Sequence, residues 1–240
     1  MKEFIVDDEV FEIIPELSVG VLVLKGVNER KELNDKDSAF IKDLLDNANK
    51  GAHKYLTSDV ISENKVVSIW REVYSRFPGK KGARCSVENL LKRVLHDNPV
   101  GSILPSIDIT NAISLKYAFP IGAEDASKFE GNLHISIMNG NEYYLAHGEE
   151  KEEPPVKGEI AYADDAGVVC RCLNWRDSVR TEITDDTTYE FIAMECVEPE
   201  RLEELKEALN ELSGLMTKYL DAEIVNTGIV DINNKRINIE

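Results

Sequence analysis

Apolar positions along the chain recur at two periods, about 3.6 and 2 residues, which predict helices and strands respectively. Residues 4 to 27 read as two short strands parted by Pro15, with Val19, Val21 and Val23 on one face of the second. Asn34 or Asp35 caps a helix to about Ala48, whose inward face is Phe40, Leu44 and Ala48. Another helix starts near Asn64, carries Val66, Ile69, Trp70, Val73 and Phe77, and stops at Pro78-Gly79. Ser86 suits a helix N-cap, and Leu90, Leu91, Val94 and Leu95 give the following helix a buried stripe. Residues 107–116 mix apolar with small polar residues and fit one more helix.

From Asn132 the period drops to 2. Leu133, Ile135 and Ile137 alternate, Asn139-Gly140 makes a tight turn, and Tyr143-Tyr144-Leu145 returns, which reads as a hairpin. Residues 160–163 and 168–173 form a second hairpin through Asp164-Asp165-Ala166-Gly167, and Tyr189 to Cys196 adds a strand. Pro199 to Leu220 is a helix with Leu202, Leu205, Leu209, Leu212, Met216 and Tyr219 on one face, followed by a last strand or two. Helices segregated from antiparallel hairpins predict an α+β fold. Residues 1–64 are expected to pack on a core built from 65–240, as one compact unit, and the acidic run Glu149 to Glu153 before Pro154-Pro155 to form an exposed loop.

With 42% of its 240 residues hydrophobic, the chain can bury a proper core, which excludes a disordered protein. Its longest apolar runs, such as Val19 to Leu24, fall far short of the roughly 20 residues a spanning helix needs. Met1-Lys2-Glu3 opens no signal peptide, so a soluble, cytoplasmic protein is expected. The four cysteines, Cys85, Cys170, Cys172 and Cys196, are too scattered for a disulfide framework and point to reduced thiols. The formal net charge of −17 argues against a protein that coats nucleic acid indiscriminately, because phosphate affinity comes mainly from Lys and Arg releasing counterions. One island departs from this balance: between Arg76 and Arg93 lie Arg76, Lys80, Lys81, Arg84, Lys92 and Arg93 against Glu88 alone. Any RNA contact must therefore be local.

Most chemistry-bearing motifs are missing. Gly79-Lys80-Lys81-Gly82 has neither the length of a phosphate-cradling loop nor the Lys-Ser/Thr that should follow it, and no cofactor is expected. Cys170 and Cys172 lie two apart on a predicted strand and so face the same way, yet zinc needs two further ligands; a half-buried strand is the simpler reading and no metal is expected. His53, His96, His134 and His147 sit in unrelated contexts, and no Gly-x-Ser-x-Gly elbow occurs. What remains is the polar stretch from Cys170 to Thr184, whose guanidinium, amide and hydroxyl groups and Trp175 suit recognition of a nucleotide. A loop held by its own hydrogen bonds has the same composition.

Several segments, in order, carry a resemblance over about residues 65 to 196. They are Trp70-Arg71, Pro78-Gly79, Ser86-Val87-Glu88-Asn89-Leu90-Leu91-Lys92-Arg93, Asp108-Ile109-Thr110-Asn111-Ala112-Ile113-Ser114-Leu115-Lys116-Tyr117, Phe119-Pro120-Ile121-Gly122, Gly158-Glu159-Ile160-Ala161-Tyr162-Ala163-Asp164, Cys172-Leu173-Asn174-Trp175-Arg176-Asp177-Ser178 and Ala193-Met194-Glu195-Cys196. Together they resemble the free-standing B3/4 domain proteins, which are similar to the editing and tRNA-binding module of the bacterial phenylalanyl-tRNA synthetase beta subunit. The resemblance implies a β-sandwich-like core with helices around it and a cleft that hydrolyses the ester of a wrongly charged tRNA. In the synthetase module an Asn of an Asp-x-Thr-Asn stretch and a Glu ending a late strand line the amino-acid pocket; Asn111 and Glu195 match them here. That module also tends to carry a His two residues after the Pro matched by Pro120, where this chain has Gly122, a departure that should alter the pocket's size. Nothing resembles the adenylate-forming catalytic domain, so the chain is not expected to charge tRNA.

On this reading the protein is a trans-editing deacylase whose partner is the tRNA acceptor end with its amino acid, and neither DNA nor a membrane. Asn111 would orient the amino acid or its carbonyl, and Asn174 and Arg176 would meet ribose or phosphate, with Ser178, Thr181, Gly122 and Asp125 as further substrate contacts. Glu195 would accept a hydrogen bond from a substrate hydroxyl, favouring serine or tyrosine esters over alanine or phenylalanine; a solvated or Arg-paired strand-end Glu is its bland alternative. Glu159 or Asp125 could act as general base, each fitting a turn anchor equally well, or the substrate's own ribose hydroxyl could position water. Lys80, Lys81, Arg84 and Arg93 would hold acceptor-stem phosphates. The competing class is a non-catalytic RNA-binding module that keeps the fold.

Overall fold

The computed structural model describes residues 1–29 and 33–240. It is an α+β fold in which two β-sheets face each other. The larger sheet has the order β10-β1-β4-β5-β6-β7, and the smaller, wholly antiparallel one has β3-β8-β2-β9. The strands are β1 (Glu3–Val6), β2 (Ser18–Lys25), β3 (Ile121–Asp125), β4 (Leu133–Ile137), β5 (Ile160–Asp164), β6 (Gly167–Arg171), β7 (Arg176–Asp177), β8 (Tyr189–Cys196), β9 (Glu223–Val230) and β10 (Arg236–Asn238). The α-helices are α1 (Asp8–Ile13), α2 (Asp35–Gly51), α3 (Lys65–Tyr74), α4 (Ser86–Leu95), α5 (Pro105–Tyr117) and α6 (Leu202–Tyr219).

β2 explains the layering. Its sequence Ser-Val-Gly-Val-Leu-Val-Leu-Lys is apolar at nearly every position, the pattern of a strand buried on both faces. Val19, Val21 and Val23 point into the core between the sheets, together with Phe4, Tyr162, Phe191 and Ala193. Leu22 and Leu24 point the other way, into a second core under α6 with Ile192, Met194, Leu205, Leu209, Leu212 and Met216. Phe4 joins the sheets, its ring 5.1 Å from Phe191 and stacked 5.8 Å from Tyr162.

β8 and α6 fall where the periodicity places them; elsewhere the details shift. The segment between the first two strands holds α1, with Val10 and Phe11 buried. Asn34 does cap α2, its Oδ1 accepting from the N–H groups of Lys36 and Asp37 at 3.0 Å. The buried face of α2, however, is Ile41, Leu45 and Ala48; Phe40 lies outside and stacks on Tyr219 at 4.8 Å. Ser86 is not the cap of α4: Cys85 holds that position, and Ser86 instead donates its N–H to Asn174 and its hydroxyl to the Ile121 carbonyl. The strand after Asn132 pairs with β5, not with Tyr143–Leu145. Asn139-Gly140 does turn, on amides that donate to the Glu142 carboxylate, but the returning chain bonds Val168 and Val179 and leaves the edge of β4 to β5.

The β5–β6 turn does require its glycine. Gly167 has φ +140°, and a Cβ there would lie 2.5 Å from the Tyr143 carbonyl oxygen. β6 then ends abruptly, because Cys172 and Leu173 both take left-handed conformations at φ +46° and +61°. Cys172 therefore does not continue the strand alternation from Cys170, and the expectation that the two side chains share a strand face does not hold.

Candidate active site

The left-handed step after β6 is held in place by a buried ion pair. Arg171, 1% exposed, sends Nε and Nη2 to Glu159 at 2.9 and 2.6 Å, and the same carboxylate accepts the N–H groups of Val156 and Cys172. Burial raises the Glu159 pKa, but the Arg171 hydrogen bonds and the two backbone N–H groups outweigh it, leaving the carboxyl below its usual range. Glu159 is thus a structural anion with its lone pairs taken, which corrects its expected role as a base. Tyr74 adds an O–H bond of 2.6 Å to the Cys172 carbonyl. Together these contacts fix the residue that follows, Asn174.

Asn174 lines a cavity of about 20 Å³ with Glu195, Tyr162, Glu124, Cys170 and Asp177, closed by Leu173, Phe191, Ala193 and Gly122. Such a volume holds about one water-sized group. Glu195 is the penultimate residue of β8, with its side chain between the sheets and 1% exposed. Its Oε1 accepts the Tyr162 O–H at 2.6 Å, while its Oε2 has no partner. The amide Nδ2 of Asn174 is also buried and unpartnered, its Oδ1 accepting from the Ser86 N–H at 3.2 Å. Burial pushes the Glu195 carboxyl up to about 8, against the opposing pull of Tyr162 and Asn174. It is therefore mainly protonated at neutral pH.

At the other end of the cavity the possible ligand atoms of Glu124, Cys170 and Asp177 lie within 4.8 Å of one another. Burial, then the neighbouring Asp177, holds Glu124 well above the usual carboxylate range. A thiolate and two carboxylates are ligands zinc accepts, and among the described residues this is the one group with such spacing.

Beside the cavity lies an open groove of about 330 Å³, lined by Trp70, Arg71, Tyr74, Lys80, Arg84 and Glu88 among others. Ser86 joins groove and cavity, since it follows Cys85 of the groove wall and bonds both Asn174 and Ile121. The basic island is largely neutralised: Arg71 and Arg84 both reach Glu88, at 2.5 and 3.4 Å, Arg76 pairs with Glu16 and Glu72, and Lys80 with Glu153. Arg93 donates to the Pro99 carbonyl, and Lys81 is exposed.

Of the sequence-predicted residues, Glu195, Asn174 and Gly122 come together around the cavity, and Lys80 and Arg84 line the groove. Asn111 sits half-buried on α5 and does not line the cavity that holds Glu195. Asp125 caps the turn after β3, its carboxylate accepting from the Ser127 N–H at 3.0 Å and the Thr187 hydroxyl at 3.2 Å. Arg176 is half-buried and paired with Glu149, while Ser178 and Thr181 are buried in the loop that follows. Tyr162, Glu124, Asp177, Tyr74 and Arg71 were not picked out. Apart from Tyr74 and Glu124, they stand inside the segments that carry the family resemblance, so their positions, though not their roles, were visible.

The chain belongs to the B3/4 domain family, whose model matches residues 69–234. Its fold is similar to the crystal structure of an N-terminal fragment of the phenylalanyl-tRNA synthetase beta subunit from Pyrococcus horikoshii, with a TM-score of 0.50 and 13% sequence identity. That match covers 92% of this chain and 49% of the fragment, so the chain spans about half its length. No curated protein matches the sequence. Among the described residues no helix is long and apolar enough to cross a membrane.

Proposed function

We propose that this B3/4 protein acts on aminoacyl-tRNA as a trans-editing deacylase, cleaving the ester of a hydroxylated amino acid such as serine or tyrosine. The observation that carries the reading is a pair of polar atoms facing one cavity, an amide donor on Asn174 and a carboxyl oxygen on Glu195, both nine-tenths buried or more and neither within hydrogen-bond distance of a protein group, although the amide lies near enough to pull on the carboxyl. Leaving two such atoms unpaired costs on the order of 1–3 kcal/mol each, a cost that a ligand with matching groups removes. A substrate hydroxyl meets Oε2 of Glu195, and the Asn174 amide donates to the ester carbonyl as negative charge grows on its oxygen. Water adds to that carbonyl, the bond to the ribose oxygen breaks, and the ribose leaves with a proton from the water. With Glu159 and Asp125 committed elsewhere, the vicinal ribose hydroxyl is the group that orients the water. The groove beside Ser86, with its aromatic floor and with Arg71 and Arg84, receives the tRNA end.

Family membership and the shared fold support this reading. The test is a deacylation assay across seryl-, tyrosyl-, alanyl- and phenylalanyl-tRNA with wild type, Glu195→Ala and Asn174→Ala. Faster loss of a hydroxylated ester, abolished in both variants, is expected. A protein that shifts tRNA in a gel but leaves every ester's lifetime unchanged is a binding module instead.

A further inference from the structure

We propose that Glu124, Cys170 and Asp177 form a site for one divalent, thiol-seeking cation of the zinc class, bridging edge strands of the two sheets. The fold builds the triad from both layers. Cys170 of β6 and Asp177 of β7 are direct partners in the ladder of the larger sheet, so their side chains leave the same face of it. Glu124 comes from β3, the edge strand of the smaller sheet, and meets them from the opposite layer. The possible ligand atoms of the three all lie within 4.8 Å of one another. Around a tetrahedral zinc such atoms stand about 3.5 Å apart, so side-chain rotation that closes the triad by roughly 1 Å suffices.

A second observation calls for a cation. Glu124 is 4% exposed and neither of its oxygens has a hydrogen-bond partner, though Asp177 and Thr181 stand nearby. Oε2 of Glu195, in the same cavity, is unpartnered as well. The described lining carries three carboxyls and a thiol but no Lys, Arg or His, and Arg180, close to Glu124, gives its Nη atoms to Asp164 at 2.6 and 3.0 Å. Buried oxygens without donors or counter-charge are what a bound ion satisfies. Cys170 supplies its sulfur as the thiolate, its proton leaving to solvent, and that sulfur favours zinc over magnesium or calcium. Asp177, half-buried, gives the ion a way in. Three protein ligands leave one tetrahedral position for a water or a substrate oxygen. Spacing along the chain points from Cys170 to Cys172; the ladder puts Asp177 in its place, and the facing sheet adds Glu124.

To test the site, the protein is stripped with a chelator, kept reduced, and titrated with Co²⁺ by absorbance and with Zn²⁺ by calorimetry. One ion per chain is expected, with a Kd of about 1 μM or tighter and a cobalt–thiolate charge-transfer band that zinc displaces. Glu124→Gln, Cys170→Ala and Asp177→Asn should each weaken zinc about 10-fold or more, since even changes outside the ligand shell cost that much. These readouts concern the ion alone, so they stand or fall separately from ester hydrolysis. A protein that takes up no ion, its three groups held together by shared protons instead, would overturn the proposal, as would zinc affinity that survives Cys170→Ala. Should the variants not fold, wild-type crystals grown with zinc decide it by anomalous diffraction. A peak bonded to all three side chains upholds the site, and a peak elsewhere, or none, ends it.

Discussion

Replacing Glu195 by Gln keeps the shape and the acceptor for Tyr162 but removes the ionisation. In the fold this carboxyl titrates at about 8; its ordinary value is 4.5. A raised native pKa means that between these limits the native protein holds a proton the unfolded chain has shed. Stability therefore falls as pH rises through the window, and above pH 8 the deficit is complete. At 1.36 kcal/mol per pH unit the difference amounts to about 5 kcal/mol, an order-of-magnitude figure for a fully buried group. Urea unfolding of wild type and Glu195→Gln at intervals from pH 4.5 to 9 measures it, with equal m-values as the check that both unfold alike. Wild type should lose several kcal/mol relative to the variant, most of it between pH 5 and 8. Two profiles that stay parallel to within about 1 kcal/mol across that window would refute the argument that burial controls this carboxyl.

Two further outcomes follow from contacts described above. Glu159→Ala should cost about 3–5 kcal/mol in chemical denaturation, because it removes the carboxylate that takes both Nε and Nη2 of buried Arg171 and leaves only Glu153, 3.8 Å away, beside the guanidinium; a stable variant that has lost only turnover would return Glu159 to the chemistry. Asn34→Ala should lower stability by about 1 kcal/mol by removing the cap of α2, read as a shift of the urea midpoint with an unchanged slope.

How much of this was legible in the sequence depended on range. β8 and α6 were readable because their apolar periods are long and unbroken, and local spacing is all such elements need. The partner of β4 was not, because alternation specifies a face and says nothing about which strand pairs across it. Phe40 was misplaced because adjacent rows of a helix differ by one residue, and Ala48 belongs to both candidate stripes. Glu195 stood out through the family resemblance, but the role of Glu159 could not: its partner Arg171 is twelve residues away, and only the hairpin brings them together. Likewise nothing local announces that Cys172 and Leu173 turn left-handed, since non-glycine residues do so only when surrounding contacts outweigh the strain.

The placement of β2 has a consequence for how the chain reaches this state. β2 comprises residues 18–25, yet its two neighbours are made of residues 189–196 and 223–230. During synthesis its apolar backbone emerges before either neighbour and waits, both edges unpaired, until residues 189–230 have left the ribosome. Such distant pairing makes for slow folding and a long exposed interval. A chaperone that shields Val19 to Leu24 on the nascent chain would find its natural client here, and yield in cells should respond to translation speed more than the stability of the finished protein suggests.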